Sequence, residues 1–177
     1  LQLESVHGKG SKFFFDLKLK LSRADESKHE IDPESILNKA LNAHKESPLK
    51  ILIAEDNLVN MTLSKSIISN SFSEIELIEA KNGEEAVKMY MEHNPDLILM
   101  DIQMPEMNGY EAATKIRFIE SASNQNNAQT PIIALTAGAV EGEKERCENA
   151  GMNDFISKPI VNRTLEDAIL KWGFIKN

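Results

Sequence analysis

Cysteine is almost absent: Cys147 is the one thiol in 177 residues. A single cysteine excludes an internal disulfide framework and a cysteine-rich zinc site, and it fits a reducing compartment. Positive charge is also short. Twenty Lys and Arg stand against 28 Asp and Glu, a formal net charge of −8. That balance argues against a general nucleic-acid binder and a binder of anionic membranes, since both need basic patches. The apolar runs stop far short of the ~20 residues that span a bilayer. The first residues, with Glu4 and Lys9, have no apolar signal-peptide core. What is present is ordinary globular composition, 41% hydrophobic. The length suits one domain with extras and a core of normal size. The chain begins at Leu1, not Met, which reads as a processed chain or a piece of a longer one.

The missing positive charge is unevenly distributed. Residues 1–48 hold 8 basic and 8 acidic residues, while residues 49–177 hold 12 and 20. The whole imbalance belongs to the second segment. Between them, residues 22–35 (SRADESKHEIDPES) are polar and read as a linker, which Pro48 closes.

After Pro48, short apolar runs alternate with helical patterns. Lys50–Ala54, Ile75–Ala80, Asp96–Met100, Pro131–Leu135 and Asp154–Ser157 read as strands. Leu58–Asn70 has Leu63 and Ile67 at helical spacing and Asn57 available as a cap. Gly83–His93 puts Ala86, Val87 and Tyr90 on one face. Tyr110–Glu120, Val140–Ala150 (ended by Gly151, the usual residue just past a helix) and Thr164–Trp172 complete the helices. Five strand–helix units imply an α/β fold: (βα)5, a doubly wound five-stranded parallel sheet of flavodoxin-like type. Strands buried on both faces should be continuously apolar, and these are. In such sheets ligands bind at the carboxyl ends of the strands.

Five polar groups gather there. Glu55 and Asp56 follow the first strand, Asp101 the third; Thr136 ends the fourth, and the fifth leads into Lys158-Pro159. A lone Asp after a strand is usually a cap or turn residue, but five such groups on one edge suggest chemistry. Three crowded carboxylates favour protonation unless a cation is present. Mg²⁺, a hard ion taking oxygen ligands, suits them. One carboxylate can then act as nucleophile toward phosphorus, with a lysine and a hydroxyl holding the phosphoryl oxygens.

Residues 50–175 resemble a response-regulator receiver domain. The resemblance rests on Ile53-Ala54-Glu55-Asp56-Asn57, on Asp96 to Gly109 (DLILMDIQMPEMNG), on Pro131 to Ala137 (PIIALTA), and on Phe155-Ile156-Ser157-Lys158-Pro159. It implies that Asp101 is the phosphoacceptor. Glu55, Asp56, Asp101 and the backbone carbonyl of Gln103 would hold Mg²⁺, with Glu55 standing where many members have Asp. Thr136 and Lys158 would contact the phosphoryl group, and Thr136 and Phe155 would act as switch residues. The Lys158-Pro159 bond is expected cis. Gln103 and Gly138 occupy positions that tune phosphoryl lifetime. Outside this set, Met104 and Met107 read as loop packing, Cys147 as a half-buried helix residue without a redox role. Glu141, Glu143, Glu145 and Glu148 read as a solvated helix face.

Leu1–Leu21 alternates apolar and polar residues around Gly8–Ser11 (GKGS), a β-hairpin pattern. No helix follows the GxG, which argues against a phosphate loop. Glu4-Ser5, Gly8-Lys9-Gly10-Ser11 and the alternating Phe13 and Phe15 resemble the final hairpin of a histidine-kinase ATP-binding domain. Residues 1–21 are thus read as that hairpin, 22–48 as a linker with a short helix, and 49–177 as the receiver. In the linker, Asp32 would cap a helix with Pro33 at its first position and Ile36, Leu37, Ala40 and Leu41 on one face. His29-Glu30-Ile31-Asp32-Pro33 only faintly matches the box that carries a kinase's phosphorylated histidine, and it lies on the wrong side of the hairpin.

This order is the layout of a hybrid sensor histidine kinase. The resemblance implies phosphorelay: Asp101 takes a phosphoryl group from a kinase histidine and passes it to a histidine phosphotransfer protein. The partners would be the kinase core of the same protein and that phosphotransfer protein. Nucleic acid and membrane are not expected as partners of these residues, and no DNA-binding output domain is expected after residue 177. The hairpin, which two strands alone leave marginal, is expected either to be poorly packed or to pair with the edge of another chain, and a homodimer is open through the hairpin or the receiver face. The location would be cytoplasmic, with a membrane anchor upstream in the parent. Without the kinase's nucleotide boxes these residues should neither bind ATP nor autophosphorylate on His. One rival is a receiver-like docking module silent to phosphorylation. Another is a small-molecule-binding flavodoxin-like domain, whose phosphate Glu55 and Asp56 would repel.

Overall fold

The computed structural model describes residues 2–6, 10–14, 48–122, 129–138 and 142–173. They fall into two units, one within Leu1–Ile31 and one within Asp32–Asn177, each treated by itself. The first is an antiparallel pair, β1 (Gln2–Val6) and β2 (Gly10–Phe14), with Gln2 opposite Phe14 and Val6 opposite Gly10. The second strand therefore starts inside the expected Gly8–Ser11 turn. The continuation to Leu21 and the helix expected after Pro33 lie outside the described residues.

The second unit is built as the apolar runs require. Its strands are β3 (Leu49–Ala54), β4 (Ile75–Ala80), β5 (Leu97–Asp101), β6 (Ile132–Thr136) and β7 (Asp154–Ser157). They form one parallel sheet in the order β4-β3-β5-β6-β7. Its helices are α1 (Leu58–Ser71), α2 (Gly83–His93), α3 (Gly109–Ala122), α4 (Glu143–Asn149) and α5 (Asn162–Trp172). This is the doubly wound (βα)5 arrangement. The chain steps from β3 outward to β4, then returns to the other side of β3 with β5. That reversal opens a crevice at the strand ends, where Glu55, Asp56 and Asp101 lie.

The alternation of strand side chains makes two cores. Leu52, Ala54, Ile98, Met100, Ile132 and Ala134 pack against Ala86, Ala112 and Ile116 of α2 and α3. Ile51, Ile53, Leu97, Leu99, Ile133 and Leu135 pack against Ile67, Ile68, Leu165 and Ile169 of α1 and α5. Each fully buried Ile or Leu contributes roughly 1.5–3 kcal/mol relative to exposure, so the central strands fix the fold. On α1 the buried row is Met61, Ser64, Ile67 and Ile68. Leu63, expected on the inner face, is exposed. Cys147, expected half-buried, is buried, and Met104 and Met107 pack into the core as expected.

Asparagines start three helices at the functional edge. Asn57 Oδ1 accepts from the N–H groups of Val59 and Asn60 at 2.9 and 3.2 Å, and Asn82 Oδ1 from Glu85 N–H at 2.8 Å. Asn108 and Glu111 exchange bonds, Glu111 N–H to Asn108 Oδ1 at 3.0 Å and Asn108 N–H to Glu111 Oε2 at 3.1 Å, a reciprocal capping box. Farther away, the Arg117 guanidinium donates to the carbonyls of Gly151 (2.8 Å) and Thr130 (2.9 Å), to Asn153 Oδ1 (2.9 Å) and to Glu120 Oε2 (2.7 Å). Glu120 Oε1 accepts the Thr130 N–H at 2.9 Å. No described helix is long and apolar enough to cross a membrane.

Candidate functional site

Asp101 closes β5 and is only 3% exposed. Its place depends on Gly109. A Cβ on that glycine would stand 2.2 Å from the Asp101 carbonyl oxygen, so only a bare backbone lets α3 start there. Met107, Asn108 and Gly109 bring the chain back over the strand end, with Gly109 N–H donating to the Ile102 carbonyl at 3.0 Å.

The site is organised around one ammonium. Lys158 Nζ donates to Glu55 Oε2 at 2.6 Å and to Asp101 Oδ2 at 2.7 Å. The peptide bond from Lys158 to Pro159 is cis, as expected, and Lys158 N–H bonds the Thr136 carbonyl at 2.6 Å. Asp101 Oδ1 accepts the Gln103 N–H at 3.1 Å. Glu55, 2% exposed, also accepts from the Asn60 amide at 2.9 Å and the Asn57 N–H at 3.3 Å, both on Oε1. Asp56 is exposed beside it. Burial lifts the Asp101 carboxyl above the usual range and Glu55 adds to this, while Lys158 and the Gln103 N–H pull it back. Partial burial works against the Lys158 charge, but its bonds with Asp101 and Glu55 outweigh that and hold it above an ordinary lysine.

Carboxylate oxygens of Glu55, Asp56 and Asp101 all lie within 4.8 Å of one another. Three hard oxygen donors on rigid strand ends, two of them buried and sharing one lysine, fit Mg²⁺ chemically. Thr136 ends β6 at 2% exposure. Its Oγ1 lies 3.1 Å from the Gly138 carbonyl and 3.3 Å from Glu143 Oε1. A cavity of about 160 Å³ beside it is lined by Ile102, Gln103, Thr136, Ala137, Gly138 and Glu143. Phe155 lies within β7, half-buried against the α2–α3 core. The register pairs Ala134 with Phe155 and Thr136 with Ser157, so Phe155 sits two pairs below the site.

The structure thus brings together Glu55, Asp56, Asp101, Thr136, Lys158 and the Gln103 backbone, and leaves Phe155 at the margin. Two residues escaped the sequence reading. Asn60 is one helical turn from Asp56 and holds Glu55; that spacing was its only signal. Glu143 was assigned to a solvated face. It is instead half-buried, accepting the Tyr110 hydroxyl at 2.7 Å. Burial, then the Glu143 hydrogen bond, push the Tyr110 hydroxyl pKa well up. Cys147 is pushed up by burial and by Glu143, which keeps it a thiol.

Residues 51–170 match the family model described as response regulator receiver domain. The sensor protein GacS of Pseudomonas syringae pv. syringae is 36% identical over 144 residues, 78% of this chain and 15% of that protein. The chain likewise spans 7% of two hybrid signal transduction histidine kinases of Dictyostelium discoideum. Among solved structures, the receiver domain of sensor histidine kinase PA1611 from Pseudomonas aeruginosa PAO1, with a magnesium ion coordinated in its active site cleft, aligns with TM-score 0.61 and 35% identity. That alignment covers 71% of this chain and 98% of that one. The Saccharomyces cerevisiae co-crystal of the histidine phosphotransfer signalling protein Ypd1 with the receiver domain of Ssk1 gives 0.65 and 34%, over 72% and 90%.

Proposed function

The chain belongs to the response regulator receiver family, and from that premise we propose that it relays a phosphoryl group through Asp101. The observation that carries this is the 2.7 Å contact between Lys158 Nζ and Asp101 Oδ2 inside a three-carboxylate cluster. An Asp101 oxygen attacks phosphorus of a phosphohistidine. The new O–P bond forms as the N–P bond breaks, and the electron pair stays on the imidazole nitrogen. Transfer onward to a second histidine reverses these bonds. Lys158 turns from Glu55 and Asp101 toward the phosphoryl oxygens, and the Thr136 hydroxyl donates to another of them as charge shifts. Glu55, Asp56, Asp101 and the Gln103 carbonyl would hold Mg²⁺, whose contribution when bound is to neutralise charge on the transferring group.

The donor would be the kinase core of a hybrid histidine kinase, in which the β1–β2 hairpin ends the ATP-binding domain. Supporting this are the GacS similarity and the hairpin pattern. The acceptor would be a histidine phosphotransfer protein. Leu58, Val59 and Val161, 77%, 74% and 58% exposed, stand just past Asp56 and Pro159. They offer apolar contact to a partner presenting its histidine to Asp101. A cytoplasmic location and pairing of two copies through the hairpin edge belong to the same reading.

Incubation with acetyl phosphate and Mg²⁺, followed by intact-mass spectrometry, tests it. The chain should gain one phosphoryl mass and Asp101→Asn none. Equal labelling of the variant refutes the site. No labelling of either points to a silent docking module.

A further inference from the structure

A threonine hydroxyl has one proton to give, and at Thr136 two acceptors already claim it. The Gly138 carbonyl is 3.1 Å away and Glu143 Oε1 3.3 Å away. The phosphoryl transfer proposed above, on which this inference rests, adds a third claimant. Glu143 is not free to drift aside, because its Oε1 also accepts the Tyr110 hydroxyl at 2.7 Å. Tyr110 follows Gly109, whose backbone lies directly on the Asp101 carbonyl. The carboxylate is thus anchored through α3 to the strand that carries Asp101. It also lines the same cavity as Thr136 and Gln103, so it faces the space beside the transfer site.

We propose that Glu143 is a positioning residue that competes with the incoming phosphoryl group for the Thr136 hydroxyl and so ties α4 to the strand ends until Asp101 is phosphorylated. The competition is chemical and electrostatic. A phosphoryl oxygen takes the proton that Glu143 shares, and its charge of roughly −1.5 to −2 repels the carboxylate. Glu143 then keeps Tyr110 and loses Thr136. The link from α4 to β6 opens, while the link from α4 to α3 stays.

The test uses the chain with acetyl phosphate and Mg²⁺, following phosphorylation rate by intact mass. Removing a long, shared hydrogen bond should speed labelling about three- to tenfold, most in Glu143→Ala and less in Glu143→Gln, which keeps an acceptor oxygen. The near-isosteric Gln variant guards against misfolding of the Ala variant, and circular dichroism checks both. A purely structural role for Glu143 predicts altered melting with an unaltered rate. A second readout is fluorine NMR of chain labelled with 3-fluorotyrosine. The chain has two tyrosines, and Tyr90, bonded to Glu120 at 3.3 Å, serves as reference. Beryllium fluoride with Mg²⁺ should shift the Tyr110 signal in the wild type. Wild-type rates in both variants, or an unmoved Tyr110 signal in a chain that labels, overturn the proposal. A wild-type chain that does not label at all sinks the underlying relay reading, and this proposal with it.

Discussion

The Lys158 ammonium lies 2.7 Å from Asp101 Oδ2 and holds Glu55 at the same time, so one cation neutralises part of two buried carboxylates. Removing it leaves them facing each other. Lys158→Met should lose roughly 3 kcal/mol of stability in the presence of a chelator, the low end of what deleting one partner of a buried pair costs, since the lysine keeps some exposure. Mg²⁺ should restore more stability to the variant than to the wild type. Guanidinium unfolding followed by Trp172 fluorescence, with and without Mg²⁺, measures this. Equal midpoints in all four conditions would contradict it.

Gly109 tests how Asp101 is placed. An alanine Cβ there would sit 2.2 Å from the Asp101 carbonyl oxygen, and backbone on both sides must shift to relieve the clash. Gly109→Ala should cost about 2 kcal/mol or more. It should also slow phosphorylation at Mg²⁺ concentrations that saturate the wild type. An unchanged thermal midpoint would show that the backbone here accommodates a Cβ without cost.

Asn60 supports Glu55 at 2.9 Å. Without the amide, Glu55 Oε1 keeps only the Asn57 N–H at 3.3 Å. Asn60→Ala should weaken Mg²⁺ binding about tenfold, the scale of a lost partner behind a metal ligand. Titration calorimetry would read it. Unchanged affinity means that Glu55 orients itself.

Asp154 gives a pH prediction. Partial burial works against its charge. Bonds from Lys171, from Trp172 Nε1 and from the Phe155 N–H more than offset this and hold its pKa below the usual carboxylate value. A depressed pKa gives stability that is fully present above the unfolded value, about 3.9, and lost as pH falls through the lower folded value. Asp154→Asn should therefore cost about 1 kcal/mol at neutral pH, and the gap to wild type should close in strong acid. Trp172, the single tryptophan, reports it directly. A gap that is constant with pH would rule out the ion as its source.

The three central strands were readable because parallel strands buried on both sides are apolar throughout; the edge strands β4 (IELIEA) and β7 (DFIS) mix polar and apolar residues, are partly exposed, and were readable from their place between helices. Ile75–Ala80 and Asp154–Ser157 match the observed strands and the others fall within a residue. The edge residues followed, since the parallel direction of the strands carries Glu55, Asp56, Asp101, Thr136 and Lys158 to one end. On α1, periodicity misled at Leu63. The inward row uses Ser64, a small polar residue that hydrophobic spacing cannot select. Glu143 was illegible for a different reason. It sits among Glu141, Glu145 and Glu148, and only contacts with Tyr110 and Thr136, 33 and 7 positions away, set it apart.

The Arg117 guanidinium has four acceptors, and two of them bracket the step from α3 to β6. Glu120 and Thr130 are bound to it and to each other, so both ends of the connection between α3 and β6 are clamped. A flexible connection between pinned ends adds only about 0.6 kcal/mol of closure cost for each doubling of length. A chain lengthened between residues 122 and 129 should therefore keep its strand ends in place, and an unchanged phosphorylation rate would show it.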